Sequence, residues 1–510
     1  MSAACVPPVK ALTKPLANKS SSIPSAKMIS PIDSHQVLRG IWSAAGLSDT
    51  HLQLADLTGA DPVLPSSFAV GTAAQTSIAA AALAAAALGH LRNGVQQRIA
   101  VDMQHAALEC TGHFSVDGRA PVIWDKLSGL YRCRSGWVRV HANFAHHRDG
   151  ALRVLGLPAG ADTERATVEA ALLQWDAFGF EQACAGAGLV VAAVRRFDEW
   201  DAHPHSQAIA AAPLITLEKI GDAAPRALPA LPTAAPPLQG VRVLDLTRIL
   251  AGPVCGRTLA AYGADVMLLN APHLPNIEHI ADTSRGKLSA QVDLRTADGR
   301  DTLRGLLRDA HVMVQGYRPG GLAAHGFGAA DAAALGPGLV YVSLSAYGDS
   351  GPWGGRRGFD SLVQTATGFN HAEAQAFHQA QARQMAGPGP PAQNDGAVQP
   401  KAMPVQILDY ASGFLMAFAV SAALLRQQQE GGSWHARISL ARTAQWLRSL
   451  GRIEGGFNVT APASDAYLET TASGWGEMRA IKHAAQFSHT PARWSRPSVR
   501  PGTHAPVWPV

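Results

Sequence analysis

Apolar residues alternate with turn residues at the start of the second half of the chain, in the order strand, helix, strand. Residues 241–246 are rich in apolar and β-branched side chains, which predicts a strand buried on both faces. Residues 251–253 (Ala-Gly-Pro) predict a turn into a helix, because proline suits the first helical turn. Gly263 predicts the end of that helix, and residues 264–269 predict the next strand. This right-handed βαβ unit is typical of a Rossmann-like α/β sheet.

Two long apolar segments follow one similar pattern. The first begins at residues 70–75 and the second at residues 408–413. Each predicts a helix, a polar glycine turn, a basic residue with a short strand, and a second helix. Residues 68–91 contain many alanines and several polar residues, and alanine is too weakly apolar to drive membrane insertion. We therefore expect a buried core helix there, no membrane span and no membrane partner.

Composition shifts divide the chain. Residues 223–239 are rich in proline and alanine and predict a linker, and residues 379–400 predict a flexible surface insertion. The first 35 or so residues carry Lys, Ser and Pro and no acid before Asp33, which predicts a disordered extension, with a transit peptide as the alternative. The expected regions are an extension (1–35), a first region (36–222), the linker (223–239), a Rossmann-like region (240–450) and an irregular tail (451–510).

Overall composition is that of a soluble globular enzyme, with 47% hydrophobic and 16% charged residues in a chain of 510. The formal net charge is only +5, and no run of Lys and Arg or basic–aromatic stripe occurs, so we expect no nucleic-acid partner. A mildly positive field would suit an anionic substrate, but on charge alone a solvated surface excess is the preferred explanation.

The cysteines indicate a reducing, cytoplasmic compartment. They are five in number, an odd count, and scattered without a CxxC pair or zinc-ligand spacing: Cys5, Cys110, Cys133, Cys184 and Cys255. This pattern predicts neither a disulfide framework nor a metal site. The adjacent His146 and His147 look like metal ligands, but no third ligand is placed by the sequence, so a surface or substrate-mouth role is the better interpretation.

Four spaced motifs carry a family resemblance. They are GVRVLDLTRILAGPVCGRTLAAYGADVMLLNAP from Gly240, then RGKLSAQVDLRTADGR, VMVQGYRPGGL and LVYVSLSAYGDSGPWGG. In order and wording they resemble the family III CoA-transferases (the CaiB/BaiF family), from Gly240 to about Ser449. The resemblance implies an α/β fold, with a Rossmann-like parallel sheet core of that type plus a smaller α/β domain. It also implies coenzyme A and acyl-CoA as substrates, a carboxylic acid as the second substrate, no tightly bound cofactor, and an interlocked homodimer.

The first region resembles the later part of the same family. GLYRCRSGWVRVHANF, residues 183–197 and FDEWDAHPH look like its strand, helix and substrate-side segments. The two halves of a typical member therefore occur here in reversed order.

Asp409 is the candidate catalytic residue. A carboxylate must attack the acyl-CoA thioester and hold the acyl group as an anhydride. Asp409 is predicted between an apolar strand (404–408) and an apolar helix (411–425), where the helix dipole would favour its ionised form. A helix N-cap is the structural alternative for such an aspartate, and the resemblance favours catalysis. In the first repeat the aligned position is Gly71, so we expect that copy to be silent.

The resemblance also implies CoA-contacting positions: Arg248, Ala251, Lys287, Tyr317, Arg318 and Arg357. Four positions depart from the pattern of formyl-CoA-transferase-like members: Leu250, Gly316, Ala324 and Asn270. The substrate therefore does not carry over from those members, and the sequence names neither the CoA donor nor the acceptor acid.

The sequence leaves three alternative functions to compare with CoA transfer. A non-catalytic CoA-binding relative is motivated by the reversed halves, and an acyl-CoA racemase is disfavoured because Phe359 stands where racemases carry a histidine base. A nicotinamide-dependent oxidoreductase lacks both the GxGxxG motif and an acid at the end of the second strand, where Asn270 stands. The sequence does not decide whether one chain completes its own site.

Overall fold

The computed structural model describes residues 32–386 and 398–509. The helices are Ser34–Ala44 (α1), Val70–Asn93 (α2), Met103–Glu109 (α3), Ala145–Val154 (α4), Arg165–Leu172 (α5), Ala177–Gly186 (α6), Phe197–Asp201 (α7), Pro204–Ile209 (α8), Ala251–Ala261 (α9), Ile280–Thr283 (α10), Ala297–Asp309 (α11), Ala329–Leu335 (α12), Asp360–Ala366 (α13), Phe369–Ala386 (α14), Ile407–Glu430 (α15) and Leu440–Ser449 (α16). Single 3-10 turns lie at Asp49–Leu54, Ala323–His325, Gly456–Asn458 and Asp465–Tyr467.

The strands are Ala55–Thr58 (β1), Ile99–Asp102 (β2), Phe114–Val116 (β3), Gly129–Arg132 (β4), Trp137–Val140 (β5), Val191–Ala193 (β6), Thr216–Gly221 (β7), Arg242–Leu246 (β8), Asp265–Asn270 (β9), Leu288–Gln291 (β10), Val312–Gln315 (β11), Val340–Ser345 (β12), Ser433–Ser439 (β13), Leu468–Ser473 (β14), Gly476–Ile481 (β15) and Ala485–Phe487 (β16).

The predicted βαβ unit lies inside a seven-stranded sheet of order β10-β9-β8-β11-β12-β13-β7. Its strands β8 and β9 are parallel, with Val243 opposite Val266, and α9 connects them. All neighbouring strands pair in parallel except β7, which is antiparallel to β13. Gly263 adopts a left-handed φ of +98° just after α9, as the helix end requires. The predicted α/β fold class is confirmed.

The two similar segments form matching units packed on each other. Helices α2 and α15 have 24 residues each, and the most apolar 18-residue stretch of each is buried, to 100% and 94%. Both are long and apolar enough to cross a membrane, yet they lie in the protein core. Each is followed by a strand and a helix, β2 and α3 or β13 and α16. The buried core helix expected at residues 68–91 is therefore confirmed.

A smaller α/β unit lies in the first region. Strands β4, β5 and β6 form an antiparallel sheet, and α4, α5 and α6 pack on it. Its own hydrophobic core includes Tyr131, Val138, Leu152 and Phe180. This unit corresponds to the smaller α/β part that the resemblance implied.

The proline-rich stretch at 223–239 is not a free linker. Leu228 and Leu238 are buried in the main core. The Arg92 guanidinium donates to the carbonyls of Pro229, Pro237 and Gln239 at 2.9–3.1 Å. Strand β7 of the first region also extends the large sheet. Regions 36–222 and 240–450 therefore share one core, because apolar Pro, Ala and Leu pack as readily as they link.

The sequence predicted an irregular tail at 451–510, and this prediction is wrong. Strand β14 pairs with β15, β15 pairs with β3 of the first region, and β16 pairs with β2. The sequence did not predict these short strands, because their apolar pattern is weak and their partner strands lie far away in sequence.

The ends of two other predicted segments also differ. Helix α14 continues to Ala386, so only part of the expected insertion at 379–400 is non-helical, and residues 387–397 lie outside the described part. Residues 1–31 of the expected extension also lie outside it, whereas Asp33 caps α1 with a side-chain bond to the His35 N–H at 2.9 Å.

We predict that Gly413→Ala destabilises the protein by about 1–3 kcal/mol through overpacking. A Cβ there would lie 2.5 Å from the Ala251 carbonyl oxygen and 2.9 Å from Val254 Cβ, so α15 and α9 would be forced apart. Gly305→Ala is the control, because its Cβ would meet nothing within 4 Å and alanine is the better helix former by about 1 kcal/mol. Urea unfolding of both variants and the wild type checks this. A Gly413→Ala variant as stable as the wild type would contradict the close packing of α9 and α15.

Candidate active site

Three cavities lie at the carboxyl ends of the parallel strands, where ligands bind in open α/β sheets. The central cleft has a volume of about 350 Å³ and is lined from the ends of β8, β11 and β12. A side pocket of about 180 Å³ lies toward β9 and β10, and an outer pocket of about 270 Å³ lies toward β13 and β7. Tyr317 and Arg318 line all three.

The central cleft is rich in positive charge. Arg248, Arg318 and Arg357 line it, and none of them has an ion-pair partner in the described part of the chain. Burial lowers the pKa of Arg357, and the nearby Arg318 lowers it further. Three arginine side chains without acidic partners around one cleft form a binding surface for an anion. The predicted positions Arg248, Tyr317, Arg318 and Arg357 are thus brought together.

The first region supplies the opposite wall of the central cleft. Phe144, His146 and His147 line it at the start of α4. Burial lowers the pKa of His147 to about 4, and the neighbouring His146 and Arg357 lower it further, so this ring is neutral at pH 7. The substrate-mouth interpretation of the two histidines fits their place in the cleft. The cleft is therefore made by both halves of one chain.

Phe359 lines the cleft where racemases of the family carry a histidine. Its ring stacks on His141, with centroids 4.0 Å apart and planes 12° apart. Burial lowers the pKa of His141 to about 3, so that ring is also neutral. Phe359 cannot exchange a proton, and the next residue, Asp360, begins α13.

Asp409 lies in the first turn of α15 and lines none of the three cavities, but it contacts Asp360, which directly follows the cleft-lining Phe359. The helix begins at Ile407, so the predicted strand at 404–408 is absent. The Asp409 backbone N–H donates to Asp360 Oδ2 at 2.9 Å. The capping carboxylate therefore belongs to Asp360, and the N-cap alternative for Asp409 is wrong. Asp360 is 1% exposed and Asp409 is 9% exposed, so part of Asp409 remains accessible.

Ionisation of the two aspartates is coupled. Burial raises the pKa of Asp409 well above its ordinary value, and the charge of Asp360 raises it further. Burial likewise raises the pKa of Asp360 to about 7, although hydrogen bonds from Asp409 N–H, the Gln364 side chain and Leu408 N–H act against it. The expectation that the helix dipole leaves Asp409 readily ionised is therefore wrong, because burial outweighs the dipole.

The first repeat has the same capping arrangement. Asp61 accepts the Gly71 N–H at 3.1 Å and the Thr72 N–H at 2.8 Å, at the start of α2. The residues before α2 and α15 have nearly equal backbone angles, with φ −75° and ψ 59° at Ala69 and φ −80° and ψ 62° at Gln406. Counted from these positions, Thr72 and not Gly71 occupies the place of Asp409, so the sequence alignment was wrong by one residue.

Two predicted CoA contacts are structural instead. Lys287 is completely buried, and its Nζ donates to Asp245 Oδ2 and to the Pro253 carbonyl, each at 2.8 Å. A phosphate cannot reach it, so the prediction for Lys287 is wrong. Ala251 is 3% exposed, lies under α15 beside Gly413 and does not line the cleft. Both residues join β8 and α9 to the core.

Known proteins resemble the part of the chain that carries most of this site. The sequence profile of CoA-transferase family III matches residues 238–454. We call this matched stretch, residues 238–454, the CoA-transferase region. The cleft residues Arg248, Tyr317, Arg318 and Arg357 and the pair of aspartates all lie within this CoA-transferase region, whereas Phe144, His146 and His147 lie outside it.

Three relatives illustrate the extent of the match. A protein of Mycobacterium tuberculosis named as a probable fatty acyl-CoA transferase is 33% identical over 235 residues, covering 43% of this chain and 55% of that one. Its crystal structure matches with a TM-score of 0.34 at 32% identity, covering 42% of this chain and 57% of that one. A succinate–glutarate CoA-transferase of Agrobacterium fabrum is 32% identical over 229 residues, covering 41% of this chain and 52% of that one.

An acyl-CoA transferase of Gibberella moniliformis is 28% identical over 392 residues, covering 69% of this chain and 66% of that one. This match covers 69% of the chain and so extends well beyond the CoA-transferase region, residues 238–454. The chain spans about half the length of the first two relatives.

Sequence reasoning missed Asp360, Phe144 and Arg356. Asp360 follows Phe359 in the segment that was compared with the racemase histidine, and its carboxyl type was the available signal. Phe144 and Arg356 line the cleft only because α4 and the segment before α13 meet there, which no local pattern indicates.

We predict that Lys287→Met destabilises the protein by about 3–5 kcal/mol, because it leaves the buried Asp245 carboxylate unpaired. Adding Asp245→Asn should restore part of that loss by removing the charge. The folded double variant should bind CoA within about twofold of the wild-type affinity. Chemical unfolding and calorimetric titration with CoA measure these quantities.

Lys219→Met is the control, because Lys219 is exposed and should change stability by less than about 0.5 kcal/mol. A large loss of CoA affinity in the stable double variant would return Lys287 to the binding site.

Proposed function

We propose that this protein is a CoA-transferase that moves CoA from an acyl-CoA to a carboxylic acid, with Asp409 as the nucleophile and a covalent aspartyl intermediate. The observation that carries the proposal is the state of Asp409. Its carboxylate accepts no hydrogen bond from the described residues, although it lies in a first helical turn where a cap would be expected. The capping is done by Asp360, which leaves Asp409 available for chemistry.

Acyl-CoA has an anionic nucleotide end and an apolar, thioester-bearing end. The side pocket suits the nucleotide end, and the central cleft suits the thioester end. The side pocket is lined mainly by apolar residues such as Leu246, Leu269 and Leu303, with Arg295 and Arg318 among its cations. We place the nucleotide there, with phosphates near Arg318, and the thioester in the central cleft beside Phe359. Arginine is suited to phosphate because its planar donors bind two oxygens at once.

The reaction then follows from carboxylate chemistry. An Asp409 oxygen attacks the thioester carbonyl carbon, a C–O bond forms, and the C–S bond breaks to release CoA thiolate. The thiolate attacks the Asp409 carbonyl of the anhydride, which frees the first acid and leaves an aspartyl-CoA thioester. The carboxylate of the second acid attacks that thioester, and the returning thiolate takes the new acyl group, which restores Asp409.

The cleft also protects the intermediates. An anhydride is lost if water reaches it, and the lining of the central cleft includes the apolar and aromatic side chains of Ile249, Phe144 and Phe359.

We further propose a homodimer in a cytoplasmic, reducing setting with no tightly bound cofactor. The resemblance supports the dimer, and the four described cysteines are free and buried, which supports the reducing setting. Both walls of the central cleft come from one chain, so the dimer is not needed to complete that cleft.

We predict that acyl-CoA followed by hydroxylamine converts Asp409 to a hydroxamate, because hydroxylamine attacks an activated aspartyl group. A panel of acyl-CoAs and peptide mass spectrometry identify the marked residue and the donor acid. Asp409→Ala should abolish the mark and lower transfer on the order of a thousandfold or more.

Asp301→Ala is the matched control, since Asp301 lies on exposed α11 and should keep both mark and rate. Tight CoA binding with no mark from any donor would favour a non-catalytic CoA-binding protein instead.

We also predict that Arg318→Ala weakens CoA binding by about 10- to 100-fold, which is what losing one charge-assisted contact to phosphate is worth. The wild-type affinity should fall as salt rises, and the variant should show a smaller slope. Arg304→Ala is the control, because Arg304 pairs with Asp301 on an exposed helix face. Calorimetric titration at two salt concentrations measures both effects; an equal loss in the control would argue against a specific contact.

A further inference from the structure

Asp360 is a buried carboxyl group that the scheme above does not use. It begins α13, is 1% exposed, and accepts the Asp409 N–H at 2.9 Å. Gln364 Nε2 donates to its other oxygen at 2.5 Å. Neither Asp360 nor Asp409 has an ion-pair partner in residues 32–386 and 398–509. Two carboxyl groups therefore share a site in which burial opposes two negative charges.

Hydrogen bonding decides which of the two carries the charge. Asp360 accepts N–H donors from the chain and from Gln364, and donors favour the ionised form of a carboxyl group. The described residues offer no such donor to the Asp409 carboxyl. At rest the negative charge therefore belongs on Asp360 and the proton on Asp409. A protonated carboxyl is a poor nucleophile, so Asp409 must lose that proton before it attacks.

We propose that Asp360 is a positioning residue for Asp409, which holds the first turn of α15 in place and accepts the proton that Asp409 gives up when it attacks a thioester. The proposal rests on the proposed function, since it concerns the same nucleophile. The Asp409 O–H bond breaks and an Asp360 O–H bond forms. The Asp409 oxygen then bonds to the acyl carbon, and CoA leaves as thiolate. The proton returns to Asp409 when the last thiolate attack releases its carboxylate.

Few other charged groups face this pair. Arg139 from β5 is the cation that acts on Asp360, at a range beyond an ion pair. The neighbouring strand β6 is apolar, and α14 contributes the neutral Asn370, whose side chain donates to Gln364 Oε1 at 3.4 Å. On α16, Thr443 bonds to Ser412. Among the described residues, Asp360 is the charged group that acts on the Asp409 carboxyl, and we therefore take it as the proton acceptor.

The first repeat offers a matched control. Asp61 holds the start of α2 through the Gly71 and Thr72 N–H groups, as Asp360 holds the start of α15. Thr72 stands where Asp409 stands and its Oγ1 donates to Asp61 Oδ2 at 2.7 Å. Asp61→Asn therefore tests the loss of a helix-capping carboxylate without the loss of a proton acceptor for a nucleophile.

The test is the pH dependence of hydroxamate formation on Asp409 in the full chain. In wild type the rate should rise through about pH 7, where Asp360 ionises and becomes able to accept a proton. In Asp360→Asn the rate depends on ionisation of Asp409 alone, which lacks the donors that assist Asp360. The rise should therefore move at least about one unit higher, and the rate at pH 7 should fall at least about tenfold. Raising the pH should restore much of the rate.

Each outcome decides between roles. A purely structural role for Asp360 would lower the rate by the same factor at every pH, and an unmoved rise in Asp360→Asn would overturn the proposal. Asp61→Asn should keep both the position of the rise and a rate within about twofold of wild type. Absence of any mark on wild type would overturn the proposed function and, with it, the proton-acceptor role.

An independent measurement uses the free protein. Infrared spectra of aspartate-labelled protein should show a protonated carboxyl at pH 8 that disappears in Asp409→Asn and persists in Asp360→Asn. A band that persists in both single variants would overturn the shared proton, whatever the result of the hydroxamate experiment.

Discussion

The first turn of a buried helix presents N–H groups that have no partner within the helix and no access to water. Helices α2 and α15 lie at the centre of the molecule, so their first turns meet this constraint in full. In each case an aspartate from a preceding segment accepts those N–H groups, the half-buried Asp61 for α2 and the buried Asp360 for α15. The arrangement of the candidate site depends on this, because the capping carboxylate of α15 lies beside the candidate nucleophile.

On the function proposed above, one arrangement serves stability in one repeat and chemistry in the other. At α2 the residue in the place of Asp409 is Thr72, whose hydroxyl bonds to the cap, and the result is a satisfied core. At α15 burial and the charge of Asp360 raise the pKa of Asp409. A single change of residue type at equal geometry therefore places two carboxyl groups together where the first repeat has a carboxyl and a hydroxyl.

The central cleft depends on both halves of the chain. The carboxyl ends of β8, β11 and β12 provide one wall with three arginines, and the start of α4 provides the other with His146 and His147. The two regions that provide these walls share one core, because β7 and the proline-rich stretch at 223–239 pack into it.

Local patterns predicted a large part of this protein. The βαβ unit, the two long core helices and the repeated helix–strand–helix unit followed from apolar periodicity and from Gly and Pro positions, which act over a few residues. The family motifs led to Asp409 and to four further positions, and the fold brings these four to one cleft: Arg248, Tyr317, Arg318 and Arg357. Lys287 and Ala251 failed because a motif position does not reveal whether a side chain faces the ligand or the core.

Tertiary structure alone decided the rest. That Asp360 caps α15, that α4 closes the cleft, and that the tail adds strands to distant partners are pairings between residues far apart in sequence. Such pairings depend on how buried polar groups find partners once the core has formed, and no local pattern encodes the partner. The sequence by itself therefore determined the elements and the candidate nucleophile. The folded chain determined the surroundings that raise the pKa of this candidate, because burial and the neighbouring carboxyl exist only in three dimensions.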